Sequence, residues 1–477
     1  MSYNSEDYFR SNDFKSIMKK FKHAEECGIL AMLDPDELID VAEYFYNSGN
    51  VKRANEIIEE ALKIYPGYAD PLLFKARIAL IDHNDIEQAE RLTEMIEDKS
   101  DIEYFYMKAE IMLAQGNVSK ADMYLDGKYY EIDDEDKDFY AIDAAALFID
   151  YNAADVAEKW LKRSHETEAI EYKEQAARIL MEKGEYEKSK DLYNKLIDNN
   201  PFSTQYWNSL ASVQFFNNNI EDSIQSSEYS IAINPKNAAA LLNKANGLYN
   251  LGNYREALKY YLRYSELCPE DENGEMLIGF CYLILECFEE SIEHLRKAEK
   301  MIDPKSQNLI DIYKDWAFAL CRLNRIEESM KMLDKTDNLD CDHNEMLVYR
   351  GILLMGSGHS NEAKKYFTQA LKNSGFSPNI FSKIAITVFE SGDIELAYKM
   401  FKLLYKNNRQ WKNNYAYYAA CCYSLGKWTE FLENLKKAVK YSPQDVKFVL
   451  GKLFPENMEP KDYYKYMADK IKNSDKS

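Results

Sequence analysis

The chain of 477 residues carries 60 Lys and Arg against 81 Asp and Glu, which gives a formal net charge of −21. A surface of this sign repels phosphate backbones and anionic lipid headgroups, so a general nucleic-acid or membrane-surface function is disfavoured. Gly and Pro are scarce, at 17 and 11 residues. Because a β-rich fold needs many turns, this composition favours an all-helical chain.

The chain begins with a polar and acidic segment that lacks the apolar stretch of a signal peptide. Residues 12–33 have apolar residues at helical spacing and are predicted to form one continuous helix. We expect residues 1–34 to be an N-terminal capping helix region, because a stack of repeats otherwise exposes its core. The longest apolar runs, such as residues 281–285, are too short to cross a bilayer, so no membrane association is expected.

A 34-residue period runs from residue 35 to residue 445. When Gly49 and Gly252 are both placed at position 15 of the period, position 8 is Ala or Gly in every successive copy. Position 20 is mostly Ala or Ser, and Pro recurs at position 32. The position-8 residues are Ala42, Ala76, Ala109, Ala145, Ala177, Ala211, Ala245, Gly279, Ala317, Gly351, Ala385 and Ala419.

Each copy of the period has the pattern of two amphipathic helices joined by a tight turn. Apolar residues recur at three- and four-residue spacing over two stretches of about a dozen residues. Gly or Asn near position 15 ends the first helix and permits the turn. Small side chains at positions 8 and 20 allow the two helices to approach closely. Proline at position 32 ends the second helix, because it has no N–H to donate.

The copy at residues 204–237 is one of the most regular. It carries Trp207, Leu210, Ala211 and Pro235 at positions 4, 7, 8 and 32. This pattern resembles the tetratricopeptide repeat (TPR) family, and its recurrence over most of the chain makes the resemblance specific.

The resemblance implies an all-α fold, a TPR α-solenoid in which about twelve antiparallel helix pairs form a right-handed superhelix. The repeats are assigned to residues 35–445, and residues 446–477 are assigned to C-terminal capping helices and a polar tail. The sequence LFPE at 453–456 is similar to the tail of bacterial cytoplasmic multi-TPR proteins of unassigned role. The eight cysteines form no CxxC pair, which is typical of a reducing compartment, so we expect a cytoplasmic location.

Sequence motifs of catalysis are missing from the chain. Neither HExxH, nor GxGxxG, nor the GxxxxGK[ST] phosphate loop occurs, and the six histidines show no zinc-ligand spacing. The repeats leave no stretch long enough for a separate catalytic domain. We therefore expect a non-enzymatic protein without catalytic residues, metal site or cofactor.

The TPR resemblance also implies where a partner would bind. In the family, the first helix of each pair lines the concave surface, and positions 2, 5, 6, 9, 12 and 13 commonly face the groove. Neither the carboxylate clamp nor a continuous asparagine ladder, two known TPR grooves, is matched here. A polar and aromatic cluster in the middle of the array is the candidate peptide-binding groove, and it consists of Arg178, Gln205, Asn208, Ser212, Phe215, Asn243, Asn246, Tyr249 and Asn250.

The leading hypothesis is a scaffold that binds a peptide segment or a helix of a partner protein in this groove, since side-chain amides suit a peptide backbone. Three alternatives stay open. In the first, the polar cluster is a solvated wall of the groove and binds no peptide. In the second, the partner docks on the basic face at 398–452, which has 11 Lys and Arg but only three acidic residues. The third is a TPR regulator that senses a peptide or small ligand by changing its superhelix pitch. The oligomeric state is left open as well.

Overall fold

The computed structural model describes residues 8–9, 11–81, 84–408 and 410–474, without the side chains of residues 31, 473 and 474. Residues 1–7 and 10 of the predicted N-terminal cap lie outside the described residues. Residues 475–477 of the predicted polar tail also lie outside them.

The described residues form α-helices, short 3₁₀ turns and connecting loops, with no strand among them. The helices, numbered in chain order, are α1 Asn12–Cys27, α2 Pro35–Asn47, α3 Val51–Ile64, α4 Ala69–Ile81, α5 Ile86–Glu94, α6 Ile102–Ala114, α7 Val118–Tyr129, α8 Lys137–Asp150, α9 Ala154–Leu161, α10 Ile170–Glu182, α11 Tyr186–Asn199, α12 Thr204–Phe216, α13 Ile220–Ile233, α14 Ala238–Asn250, α15 Tyr254–Leu267, α16 Glu272–Ile284, α17 Phe288–Met301, α18 Asn308–Arg322, α19 Ile326–Asp334, α20 His343–Gly356, α21 Ser360–Asn373, α22 Pro378–Glu390, α23 Ile394–Asn407, α24 Tyr415–Ser424, α25 Trp428–Tyr441, α26 Pro443–Leu450 and α27 Pro460–Ser474.

Helices α2 to α25 follow the predicted pairing, with one pair for each copy of the 34-residue period. The first member of each pair carries the small residue of position 8, and the second carries position 20. This confirms the predicted all-α repeat of helix pairs. The chain divides into two compact halves, residues 1–243 and 244–477, and the division falls within α14. The boundaries predicted at 34/35 and 445/446 stay predictions.

The turn inside each pair depends on one residue in the left-handed backbone region. Gly49 and Gly252 have φ of 82° and 78°, and Asn218 occupies the same place with φ of 62°. Glycine enters this region without steric cost, and asparagine is tolerated there. Glu286 takes the equivalent place in its repeat with φ of 61°, a conformation that is unfavourable for a side chain of this size. Position 15 is thus selected for its backbone conformation.

The N-terminal cap differs from its prediction. Helix α1 ends at Cys27, and a separate 3₁₀ turn covers Leu30–Met32, so the prediction of one continuous helix over 12–33 is wrong. The reason is Gly28, which adopts φ of 68° and donates its N–H to the carbonyls of Ala24 and Glu25. This is the hydrogen-bonding pattern that closes a helix C-terminus.

At the C-terminus, α26 and α27 follow the last helix pair. Phe454 stacks on Tyr463 with ring centroids 3.7 Å apart, and both side chains are buried. These contacts cover apolar surface at the end of the C-terminal half. Across the described residues, every helix falls short of the length and apolar character that a bilayer-spanning segment needs.

Candidate functional site

Two first helices of the N-terminal half, α10 and α12, hold most of the side chains of the candidate site. Ala177 of α10 is buried in an apolar cluster with Leu196 of α11 and Leu210 of α12. This packing fixes the rotation of both helices, because residues on the apolar side cannot leave the cluster without exposing it. Helix α12 is also capped by Ser203, whose hydroxyl oxygen accepts a 3.4 Å hydrogen bond from the backbone N–H of Tyr206.

A pocket of about 440 Å³ opens between α8, α10 and α12. Its size lies within the usual range of ligand pockets. It is lined by Ile149, Asp150, Glu174, Arg178, Met181, Glu182, Tyr193, Gln205, Tyr206, Ser209 and Ser212. All of these residues other than Tyr193 and Tyr206 occupy positions 2, 5, 6, 9, 12 or 13 of their repeats, the positions expected to face a groove.

Glu174 is the most buried acidic group of the pocket. Its residue is 6% exposed. One carboxylate oxygen, Oε1, accepts a hydrogen bond from the hydroxyl of Tyr206. The other oxygen, Oε2, is buried and has no hydrogen-bond partner among the described residues. Burial raises the pKa of Glu174, while the Tyr206 hydroxyl and Arg178 oppose that rise and the charge of Glu171 adds to it.

Arg178 connects two of the three helices. Its guanidinium forms an ion pair with Asp150 at the end of α8 and donates a 3.1 Å hydrogen bond to Oε1 of Gln175 in its own helix. Gln175 is itself buried. The guanidinium is therefore held against α8.

Asn208, Ser212 and Asn243 form a hydrogen-bonded connection between α12 and α14. The Asn243 side-chain amide donates to the backbone carbonyl of Asn208 at 3.2 Å and to the hydroxyl of Ser212 at 3.3 Å. The Asn208 amide donates to Oδ1 of Asn237 at 3.0 Å. The Asn243 amide thus donates to groups of α12 and the Asn208 amide to the loop before α14, so part of the predicted binding cluster is committed to packing between repeats.

The remaining candidates lie in different surroundings. Gln205 is exposed at the pocket, and Phe215 meets Phe216 edge to face at 6.0 Å. In the C-terminal half, Asn246 accepts a 2.7 Å hydrogen bond from the hydroxyl of Tyr261, and Tyr249 meets the ring of Tyr254 edge to face. The last candidate, Asn250, is exposed at the end of α14. The structure thus places three of the predicted residues around one pocket, and these are Arg178, Gln205 and Ser212.

The residue pattern missed Asp150, Glu174 and Ser209 as members of the site. The sequence does contain a signal for them, because they stand at positions 13, 5 and 6 of their repeats, which are groove-facing positions. A cluster defined by amides and aromatic rings does not include these carboxylates. The partner of Glu174, Tyr206, stands at position 3 and gave no such signal.

The helix pairs define an all-α repeat protein. A family model described as tetratricopeptide repeat matches residues 175–203, which include most of α10 and all of α11. The recurring helix pairs and this match together support a tetratricopeptide repeat protein.

Two curated relatives share a limited region with the chain. Human protein O-mannosyl-transferase TMTC3 is 26% identical over 172 residues, which is 34% of this chain and 19% of that protein. The mouse protein of the same name is 24% identical over 172 residues, with the same coverage. The chain thus spans about a fifth of the length of the curated relatives it matches.

Several solved structures match the chain at low TM-scores. YrrB, described as a TPR protein with an unusual peptide-binding site, is 14% identical with a TM-score of 0.34 and covers 38% of this chain and 91% of its own. The APC/C hetero-tetramer Cut9–Hcn1 is 13% identical with a TM-score of 0.34 and covers 94% of this chain and 95% of its own. MamA is 16% identical with a TM-score of 0.32 and covers 35% of this chain and 90% of its own.

Proposed function

We propose that this chain is a non-enzymatic interaction scaffold that binds a peptide segment or a helix of a partner protein along the first helices of its repeats. The supporting observation is the pocket between α8, α10 and α12, which is lined by residues at groove-facing positions of three consecutive repeats. A ligand that crosses successive first helices would meet a side chain from each repeat.

The chemistry of the pocket suits a peptide. The Gln205 amide and the Ser209 hydroxyl can both donate and accept hydrogen bonds, as a peptide backbone requires. The Ser212 hydroxyl already donates to the Asn208 carbonyl at 3.1 Å and offers a peptide an acceptor. Met181 adds a flexible apolar side chain that adapts to different residues. Among the predicted candidates, Arg178, Gln205 and Ser212 are the proposed contacts.

We place this function in the cytoplasm. All eight cysteines are free thiols, and they include the fully buried pair Cys421 and Cys422. Free thiols in this number are typical of a reducing compartment. The transferase name of TMTC3 belongs to a protein of which this chain covers 19%, and no transferase activity is proposed here.

The test is a peptide selection with a blocked pocket as comparison. A phage-displayed library of random peptides would be selected on the full chain, and the enriched peptides would be synthesised. Ser209→Trp places an indole in the pocket, where Ser209 is half-buried. Gln225→Trp is the matched control, since Gln225 is exposed on the second helix α13.

Peptides that bind the wild type and Gln225→Trp but lose affinity for Ser209→Trp would support the proposal. Circular dichroism melting curves must show that both variants are folded. A selection whose peptides bind Ser209→Trp as well as the wild type would contradict binding at these helices.

A further inference from the structure

The pocket contains a buried acidic group with unused hydrogen-bonding capacity. Oε2 of Glu174 is buried without a partner among the described residues, while Oε1 is occupied by the Tyr206 hydroxyl. A buried carboxylate oxygen without a hydrogen-bond partner keeps the full cost of its removal from water. A ligand that supplies a donor to this carboxylate would remove that cost on binding.

The charges around Glu174 indicate which kind of donor is missing. Asp150, Glu174 and Glu182 bring three carboxyl groups to the pocket, and Arg178 brings one guanidinium. The guanidinium pairs with Asp150, on the α8 side of the pocket. The pocket therefore keeps an excess of acidic groups, which attracts a cation and repels an anion.

Two aromatic rings complete the arrangement. Tyr193 and Tyr206 both line the pocket, and Tyr206 is the hydrogen-bond partner of the carboxylate. Tyrosine rings attract ammonium and guanidinium groups through the negative potential of the ring face. A cation placed here would meet an aromatic wall together with a charge-assisted hydrogen bond, which is about twice as strong as a neutral one.

We propose that the pocket between α8, α10 and α12 accepts the side chain of a lysine or an arginine of the bound peptide, with Glu174 as its charged partner. The inference rests on the proposed function, because it assumes that a peptide lies along these helices. It goes beyond the proposed function by specifying that the recognised peptide residue is positively charged. Gln205, Ser209 and Ser212 would then bind the peptide backbone on either side of that residue.

The experiment uses the synthetic peptides from the selection described above. In each peptide, every Lys or Arg is replaced in turn by norleucine, which keeps the aliphatic chain and removes the charge. Affinities are measured by fluorescence polarisation for the wild type, Glu174→Gln and Glu221→Gln. The Glu174→Gln variant would keep an acceptor for the Tyr206 hydroxyl, and Glu221→Gln removes an equal charge from an exposed place on α13.

We expect one basic residue in each peptide whose replacement weakens binding to the wild type by about tenfold or more. The same replacement should change binding to Glu174→Gln by less than about threefold, while Glu221→Gln behaves as the wild type. General attraction to an acidic protein would instead affect both variants equally, and that result would overturn the inference.

The outcomes separate the two proposals. Peptides that are blocked by Ser209→Trp but bind without any basic residue would overturn the lysine or arginine pocket and leave the peptide scaffold in place. Peptides that bind Ser209→Trp with the same affinity as the wild type would overturn both the peptide scaffold and the lysine or arginine pocket. The comparison of each peptide with its norleucine form on the wild type needs no variant, so the inference stays testable if Glu174→Gln fails to fold.

Discussion

The hydroxyl of Ser223 donates a 2.7 Å hydrogen bond to the backbone carbonyl of Ala211, its neighbour across the helix pair α12 and α13. In each repeat that has serine at position 20, the serine hydroxyl donates the same hydrogen bond to the backbone carbonyl of position 8. The members of this set are Ser189 with Ala177 at 2.7 Å, Ser223 with Ala211 at 2.7 Å, Ser291 with Gly279 at 2.8 Å and Ser329 with Ala317 at 2.7 Å. The small residue at position 20 thus permits close approach and also bonds the two helices.

Ser223 is fully buried, so this bond predicts that substitutions at Ser223 lower the free energy of unfolding by graded amounts. Ser223→Ala should lower the free energy of unfolding by about 1 kcal/mol, the usual net value of one hydrogen bond. Ser223→Val should cost more, about 1–3 kcal/mol, because it loses the bond and adds volume between close helices. Thermal melting followed by circular dichroism measures both.

The control for that series is Ala397→Ser in α23. Ala397 is a fully buried position-20 residue, and the substitution adds the hydroxyl that other repeats already carry. Its melting temperature should stay close to that of the wild type. A large loss in Ala397→Ser, or a Ser223→Val protein as stable as the wild type, would contradict the role assigned to position 20.

The repeat itself could be predicted from sequence because its causes are local. The small residues at position 8 and the residues with positive φ at position 15, such as Gly184 and Asn218, recur at a fixed spacing that the chain displays directly. The groove-facing positions followed from the same period, and most of the pocket lies on them.

The remaining features depend on contacts between repeats, which the period does not specify. Glu174 and Tyr206 are 32 residues apart, and their hydrogen bond follows from how α10 and α12 pack. The amides of Asn208 and Asn243 looked available in the sequence, yet both donate to neighbouring helices or loops. Side-chain partners of this kind become visible only once the helices are placed.

Gly351 and Phe367 provide a second test of the packing within a pair. A Cβ atom on Gly351 would lie 2.2 Å from Cε1 of Phe367, far inside van der Waals contact. Gly351→Ala should therefore destabilise the protein by about 1–3 kcal/mol or more, although alanine is the better helix former. Chemical denaturation followed by circular dichroism measures the loss.

Two further variants make this prediction specific. Gly356→Ala, in the same helix α20, meets no atom within 4 Å of the new Cβ and should leave stability unchanged or raise it by about 0.5–1 kcal/mol. The double variant Gly351→Ala with Phe367→Leu should be less destabilised than the sum of its single changes, because the smaller side chain relieves the clash. Strict additivity would show that the clash is not the cause.

Tyr206→Phe tests the buried carboxylate of Glu174. The variant removes the hydroxyl that donates to Oε1, so neither carboxylate oxygen keeps a partner among the described residues. The pKa of Glu174, already raised by burial, should rise further. A raised pKa in the folded state stabilises the protein below the unfolded pKa, and this contribution is lost as pH rises through the folded pKa.

Tyr206→Phe should therefore be more destabilised, relative to the wild type, at pH 8 than at pH 4. Denaturation curves at the two pH values measure the difference. The double variant Tyr206→Phe with Glu174→Gln has no carboxyl to ionise there and should lose most of this pH dependence. An equal loss of stability in Tyr206→Phe at both pH values would mean that Glu174 does not depend on the hydroxyl for its charge.

Asp315 gives a pH prediction for the C-terminal half. It is half-buried in α18, and burial together with the charge of Asp311 raises the pKa of Asp315 to about 6, against the opposing charge of Lys314. Its stabilising contribution should be present below about pH 4 and lost as pH rises through 6. Asp315→Asn stays neutral, so its melting temperature should exceed that of the wild type at pH 8 and match it near pH 4.

Asp311→Asn, which alters an exposed acid in the same helix, should show a smaller difference. A constant offset between Asp315→Asn and the wild type across this range would exclude titration of Asp315 as the cause.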